Sequence, residues 1–112
     1  MPTNVVGRSQ NPWVESTDLS PWVETPESTR VSRFRYDHIS RALQVQWTNG
    51  KNPGYIYDDV PYETYRSFAR AISKGKYINA VLNGFPYGRA SQDQMDEPSN
   101  PARRGIRSRV RG

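Results

Sequence analysis

Cysteine is absent from this 112-residue chain, so neither a disulfide framework nor a thiolate metal site can be built. Histidine occurs once, as His38, in a stretch that reads as a turn. With no second histidine and no thiol, no His- or Cys-based catalytic dyad can be assembled. The glycines form neither a dinucleotide fingerprint nor a phosphate loop. Asp58-Asp59 would suit a divalent ion, but a helix starting just after them is the better account of their charge. No apolar run approaches the roughly 18 residues of a membrane span, and the N-terminus carries no signal-peptide core. These shortages predict a protein with no catalytic residue, cofactor or metal. They place it in the cytoplasm or a virion, neither secreted nor in a membrane.

What the chain does contain is organised around residues 54–75. Tyr55-Ile56-Tyr57 is aromatic and β-branched, bounded by Pro53-Gly54 and Asp58-Asp59, and reads as a strand. Pro61 suits a first helical position, and Asp58, Asp59 and Glu63 set negative charge near the positive end of the helix dipole. Tyr65, Phe68, Ala69 and Ile72 then recur at the spacing of one buried helical face. Arg66, Arg70 and Lys74 fall on other faces, and Gly75 is the expected left-handed stop. Upstream, Val31–Asp37 alternates, with Phe34 and Tyr36 on one side and Arg33 and Arg35 on the other. Ala42–Thr48 points Leu43, Val45 and Trp47 inward and Gln44 and Gln46 outward. Downstream, Tyr77, Ile78, Val81 and Leu82 fit one face of a short helix ended by Asn83-Gly84. Short connections make the strands an antiparallel meander.

The expected fold class is therefore α+β. A three-stranded antiparallel meander over residues 30–87 is covered by one main and one short helix, between long extended N- and C-terminal arms. Leu43, Val45, Trp47, Tyr65, Phe68, Ile72 and Val81 form the expected core. A domain of roughly 60 residues buries only about 60% of its unfolded surface and is marginal alone. Hydrophobic residues make up 34% of the chain, consistent with a small core between polar flanks.

The flanks differ in charge. Residues 1–29 sum to −3, residues 30–87 to +5 and residues 88–112 to +3. The first flank holds a tandem repeat: Pro12-Trp13-Val14-Glu15 recurs as Pro21-Trp22-Val23-Glu24, nine residues later. Two of the chain's three tryptophans lie here, in a segment too polar to bury them by itself. They read as docking motifs, with Trp13, Val14, Trp22 and Val23 as anchors. Residues 88–112 read as a linker followed by an Arg-rich tail. In that tail Ile106 and Val110 alternate with Arg107, Arg109 and Arg111, as in a strand added to a neighbour's sheet edge.

Residues 31–87 resemble the KTSC domain, a small module named for the C-terminus of some lysyl-tRNA synthetases and also found as stand-alone proteins. The resemblance rests on Val31-Ser32, Tyr55-Ile56-Tyr57, Val60-Pro61, Tyr65, Phe68 and Ser73-Lys74-Gly75-Lys76-Tyr77-Ile78-Asn79, in order and at matching spacing. It implies a fold and a weak suggestion of RNA binding, and it brings no catalytic residues.

Two functions fit these features. The first is a non-enzymatic structural or accessory protein that docks through its arms on a large assembly, such as a phage capsid minor or decoration protein. Its partners would be assembly subunits, a major capsid protein among them. The alternative is a module for RNA or single-stranded DNA. It would hold phosphates with Arg33, Arg35, Arg103, Arg104, Arg107, Arg109 and Arg111, and would stack bases on Tyr55 and Tyr57 if their face is the solvent side; burying two aromatics rather than Ile56 slightly favours the opposite orientation, with both rings inward.

Overall fold

The computed structural model describes residues 17–48 and 53–103. In chain order the elements are β1 (Val23–Glu24), β2 (Val31–Asp37), β3 (Ala42–Trp47), β4 (Tyr55–Tyr57), α1 (Tyr62–Arg70), α2 (Lys74–Ala80), a 3-10 turn (Leu82–Gly84), β5 (Tyr87–Arg89) and α3 (Gln92–Asp96). All five strands form one antiparallel sheet in sequential order. The expected α+β meander is present, but among the described residues it has five strands rather than three and a third helix.

Alternation builds the central face. Phe34, Tyr36, Leu43, Val45 and Tyr57 are fully buried against Tyr65, Phe68 and Ala69 of α1, Ile78 of α2, and Leu82. Phe34 meets Phe68 edge-on at 4.9 Å, and Tyr36 stacks on Tyr65 at 4.6 Å. A register shift between Val31 and Arg33 breaks strict period two. It lets Val31 and Phe34, three residues apart, join one core.

The second helical face deviates from expectation. Pro61 is the N-cap rather than the first helical residue, and α1 stops at Arg70 because Ala71 turns extended. Ile72, expected in the core, is consequently 81% exposed, and Val81 is exposed at 36%. Gly75 lies inside the first turn of α2 instead of ending α1. The device that ends α1 is Lys74, which is buried although it was placed on an outer face. Its Nζ donates to the carbonyls of Ala69 (3.1 Å) and Ala71 (2.7 Å), supplying partners that the helix end lacks.

The opposite sheet face carries a second layer where an arm and a linker were expected. Ser91 and Gln94 form a reciprocal capping box that starts α3, and α3 buries Met95. Gly54 lies beneath it; a Cβ there would overlap the Val45 carbonyl oxygen and the Met95 methyl. Residues 18–25 run along the outer edge of β2. Leu19 bridges Asp37, Ser20 N donates to Tyr36 O at 2.8 Å, and Val23 pairs with Phe34. Residues 17–29 and 88–103 are thus integral to the fold and extend it beyond residues 30–87. The two segments also meet: Asn100 N donates to Leu19 O at 2.8 Å, and Arg103 pairs with Asp18.

Candidate nucleic-acid interface

Helices α1 and α2 cover the middle of one sheet face and leave a corner open toward β4 and β5. Cross-strand partners share a face, so the pairs Val45↔Tyr55, Tyr55↔Arg89 and Tyr57↔Tyr87 place these side chains on the helix-bearing side. Tyr57 is fully buried at the inner end, where burial pushes its hydroxyl up to about 12. Moving outward, Tyr55 and Trp47 are half-buried, Tyr87 is 48% exposed and Arg89 is exposed.

These rings are contiguous. The Trp47 and Tyr55 rings meet edge to face at 5.1 Å. Tyr55 stacks on Tyr87 at 5.0 Å with planes 19° apart, and Tyr87 lies 5.3 Å from Tyr57. The Arg30 guanidinium lies 5.3 Å from the Trp47 ring centroid. The result is an aromatic strip over β3, β4 and β5, with Arg30 at one end and Arg89 beside Tyr55. Such a surface offers π-faces to bases and guanidinium groups to phosphates.

The strip is not the expected platform. Tyr55 and Tyr57 face the helices, away from Arg33, Arg35, Gln44 and Gln46, so the residues proposed together are split between two faces. Arg35 is fully buried. Its Nε donates to Gln44 Oε1 (2.7 Å), Nη1 to Glu97 O (2.7 Å) and Ser99 Oγ (3.0 Å), and Nη2 to Gln94 O (3.0 Å) and Met95 O (3.3 Å). It serves the C-terminal end of α3 and has no access to a phosphate. Arg33 donates to Gln46 Oε1 at 2.5 Å. Trp22 receives both guanidinium groups, at 4.1 Å from Arg33 and 4.3 Å from Arg35. Trp22 and Val23 are therefore engaged by this chain's own sheet, and both are half-buried.

Arg103, expected on phosphate, pairs with Asp18 and, together with Asn100, holds that carboxyl below its ordinary range. Trp13, Val14, Arg104, Ile106, Arg107, Arg109, Val110 and Arg111 lie outside the described residues. Sequence reasoning missed Arg30, Trp47, Tyr87 and Arg89 as site residues. The run Tyr87-Gly88-Arg89 carried a usable signal, an aromatic and a cation at period two.

His38 is half-buried rather than solvated. It sits edge-on to Tyr36 at 5.0 Å and beside Tyr62 at 5.5 Å, and burial holds its imidazole below the ordinary value. Among the described residues, no group of three or more His, Cys, Asp or Glu is placed to hold a metal. Among the same residues, no helix is long and apolar enough to cross a membrane.

A family model, the KTSC domain, matches residues 27–85. No curated protein matches the chain. A crystal structure of a KTSC domain protein from Yersinia pestis is similar at 26% identity and a TM-score of 0.58. The match covers 65% of this chain and 99% of that one.

Proposed function

The chain belongs to the KTSC domain family, and from that premise and the open sheet corner we propose that it binds single-stranded nucleic acid. The observation that carries the reading is the continuity of Arg30, Trp47, Tyr55 and Tyr87, with Arg89 beside them. Aromatic rings left partly open cost hydrophobic burial, which a stacked base would recover. Base–aromatic stacking contributes about 1–3 kcal/mol per base and tolerates any base. The surplus of +5 over residues 30–87 draws a polyanion to the same domain.

Fluorescence anisotropy with short labelled RNA and DNA strands at low salt tests this. Tyr87→Ala removes the most exposed ring and should weaken binding roughly fivefold to a hundredfold. Its melting temperature should fall by about 4–8 °C per kcal/mol of lost packing on Tyr55 and Tyr57, with the cooperative transition kept. Affinity unchanged by Tyr87→Ala would reject the strip as the interface.

A second reading keeps docking on an assembly. The second repeat copy lies along the edge of β2, with Trp22 over Arg33 and Arg35. The first copy, including Trp13 and Val14, has the same residues and would suit an equivalent Arg-bearing edge on another subunit, such as a capsid protein. Ile106 and Val110 would serve the same partner by strand addition. Cross-linking followed by mass spectrometry from the native source would find Trp13 peptides joined to another chain. Their absence from every cross-link would reject docking through this arm.

A further inference from the structure

The strip ends at Arg30, and Arg30 also lines a cleft of about 410 Å³. Residues 27–30 form one wall, and residues 72–76 with Asn79 form the other. The volume falls within the range of small-ligand sites. Three cations, Arg30, Lys74 and Lys76, and one acid, Glu27, line it. Lys74 Nζ is committed to the Ala69 and Ala71 carbonyls. Lys76 is exposed. Arg30 Nη1 donates to Asn79 Oδ1 at 3.4 Å, across the cleft, and its other N–H groups are additional donors. Hydroxyls of Ser28, Thr29 and Ser73 add neutral donors to the lining. The early end of α1 leaves Ile72 at the rim, 81% exposed.

A site with two available cations against one acid, hydroxyl donors and an exposed isoleucine at its rim suits an anion attached to an apolar or aromatic body. We propose that this cleft holds the terminal phosphomonoester of a single strand whose neighbouring bases lie on the strip. Lys76 and Arg30 would contact the phosphate, and Ile72 would cover the terminal nucleoside. The inference rests on the strip being a strand-binding surface, and Arg30 joins the two. A terminal phosphomonoester carries nearly two negative charges above its second pKa of about 6, whereas each internal diester carries one. The cleft would therefore distinguish a phosphorylated end from a hydroxyl end, which a stacking strip alone does not do.

The test compares one short strand in three forms: 5′-phosphorylated, 3′-phosphorylated and unphosphorylated. Anisotropy is read at pH 7.5 and pH 5. One of the phosphorylated forms should bind roughly tenfold tighter than the hydroxyl form at pH 7.5, and its identity reports which end enters the cleft. That advantage should shrink at pH 5 as the monoester loses charge. Lys76→Gln should abolish the advantage while leaving the unphosphorylated strand's affinity within about twofold. Tyr87→Ala should weaken all forms alike and keep their ratio. Equal binding of the three forms by the parent protein overturns the cleft inference and leaves the strip in place. No binding of any strand at low salt overturns the strip, and the cleft inference falls with it. A phosphate advantage that survives Lys76→Gln also overturns this assignment.

Discussion

Arg35→Met is the most informative single substitution. The native side chain is fully buried and donates to five acceptors, three of them backbone carbonyls at the end of α3. Methionine matches much of its length and apolar bulk but donates nothing. Each hydrogen bond from a charged donor is worth about 1.5–3 kcal/mol. A simple sum would overshoot, because the orphaned carbonyls can recover water if α3 lifts away. The loss is then capped by the docking energy of the 91–100 segment. Burial of Met95 contributes about 1.5–3 kcal/mol of that; separately, losing the Arg35 guanidinium from the Trp22 ring costs about 1 kcal/mol. We expect a loss of about 3–5 kcal/mol, the range for breaking a buried charged network. That is a large fraction of the 5–15 kcal/mol a small domain holds. Urea denaturation gives the magnitude, and hydrogen exchange gives its location. Amides of residues 92–100 should lose protection first, while those of α1 persist until global unfolding. A double-mutant cycle with Met95→Ala should be markedly non-additive, since either change alone undocks the same segment. An unchanged denaturation midpoint, or uniform loss of protection across the domain, would refute the view that Arg35 fastens α3 to the sheet.

Three further outcomes are expected. Gly54→Ala should cost about 1–3 kcal/mol by thermal melt, because a Cβ overlaps the Val45 carbonyl and the Met95 methyl. For His38, burial depresses the folded-state pKa below 6.5, so the unfolded chain takes up the proton first. Stability should therefore fall as pH drops from 6.5 toward that lower value, and His38→Gln should flatten the melting temperature over this window. For strand binding, Arg89→Ala should reduce the slope of log affinity against log salt by about 0.7, the value for one phosphate contact on a single strand; an unchanged slope would take Arg89 out of the interface.

The layer over α1 was legible because its signal is periodic. Leu43 and Val45 alternate with glutamines, and Tyr65, Phe68 and Ala69 share a helical face, so polarity alone assigns them. Ile72 fit the same period but lies past a helix end set by Lys74 Nζ, a tertiary contact that no spacing reports. The bulge between Val31 and Arg33 likewise leaves no mark in the residue types. The second layer was illegible for another reason: α3 is five residues long with one buried apolar side chain, Met95, too little for a moment to register. Its partner on the sheet is an arginine, and periodic reading places a charge in solvent. Only the Ser91–Gln94 capping box announced it. The open corner was misassigned because Trp47 was counted as core, when its ring is shared between core and surface.

The seam between Asp18 and Arg103 joins residues 85 positions apart. On a ribosome adding about 5–20 residues per second, Arg103 follows Asp18 by roughly 4–17 s. Until residues 94–97 have been added, Arg35 lacks the carbonyls of α3, and the groove over Gly54 lacks Met95. Any chain that stops short of α3 therefore has the residues of its helix-bearing side but not the cover of its reverse side. A message truncated just before codon 91 would leave the protein in that state permanently.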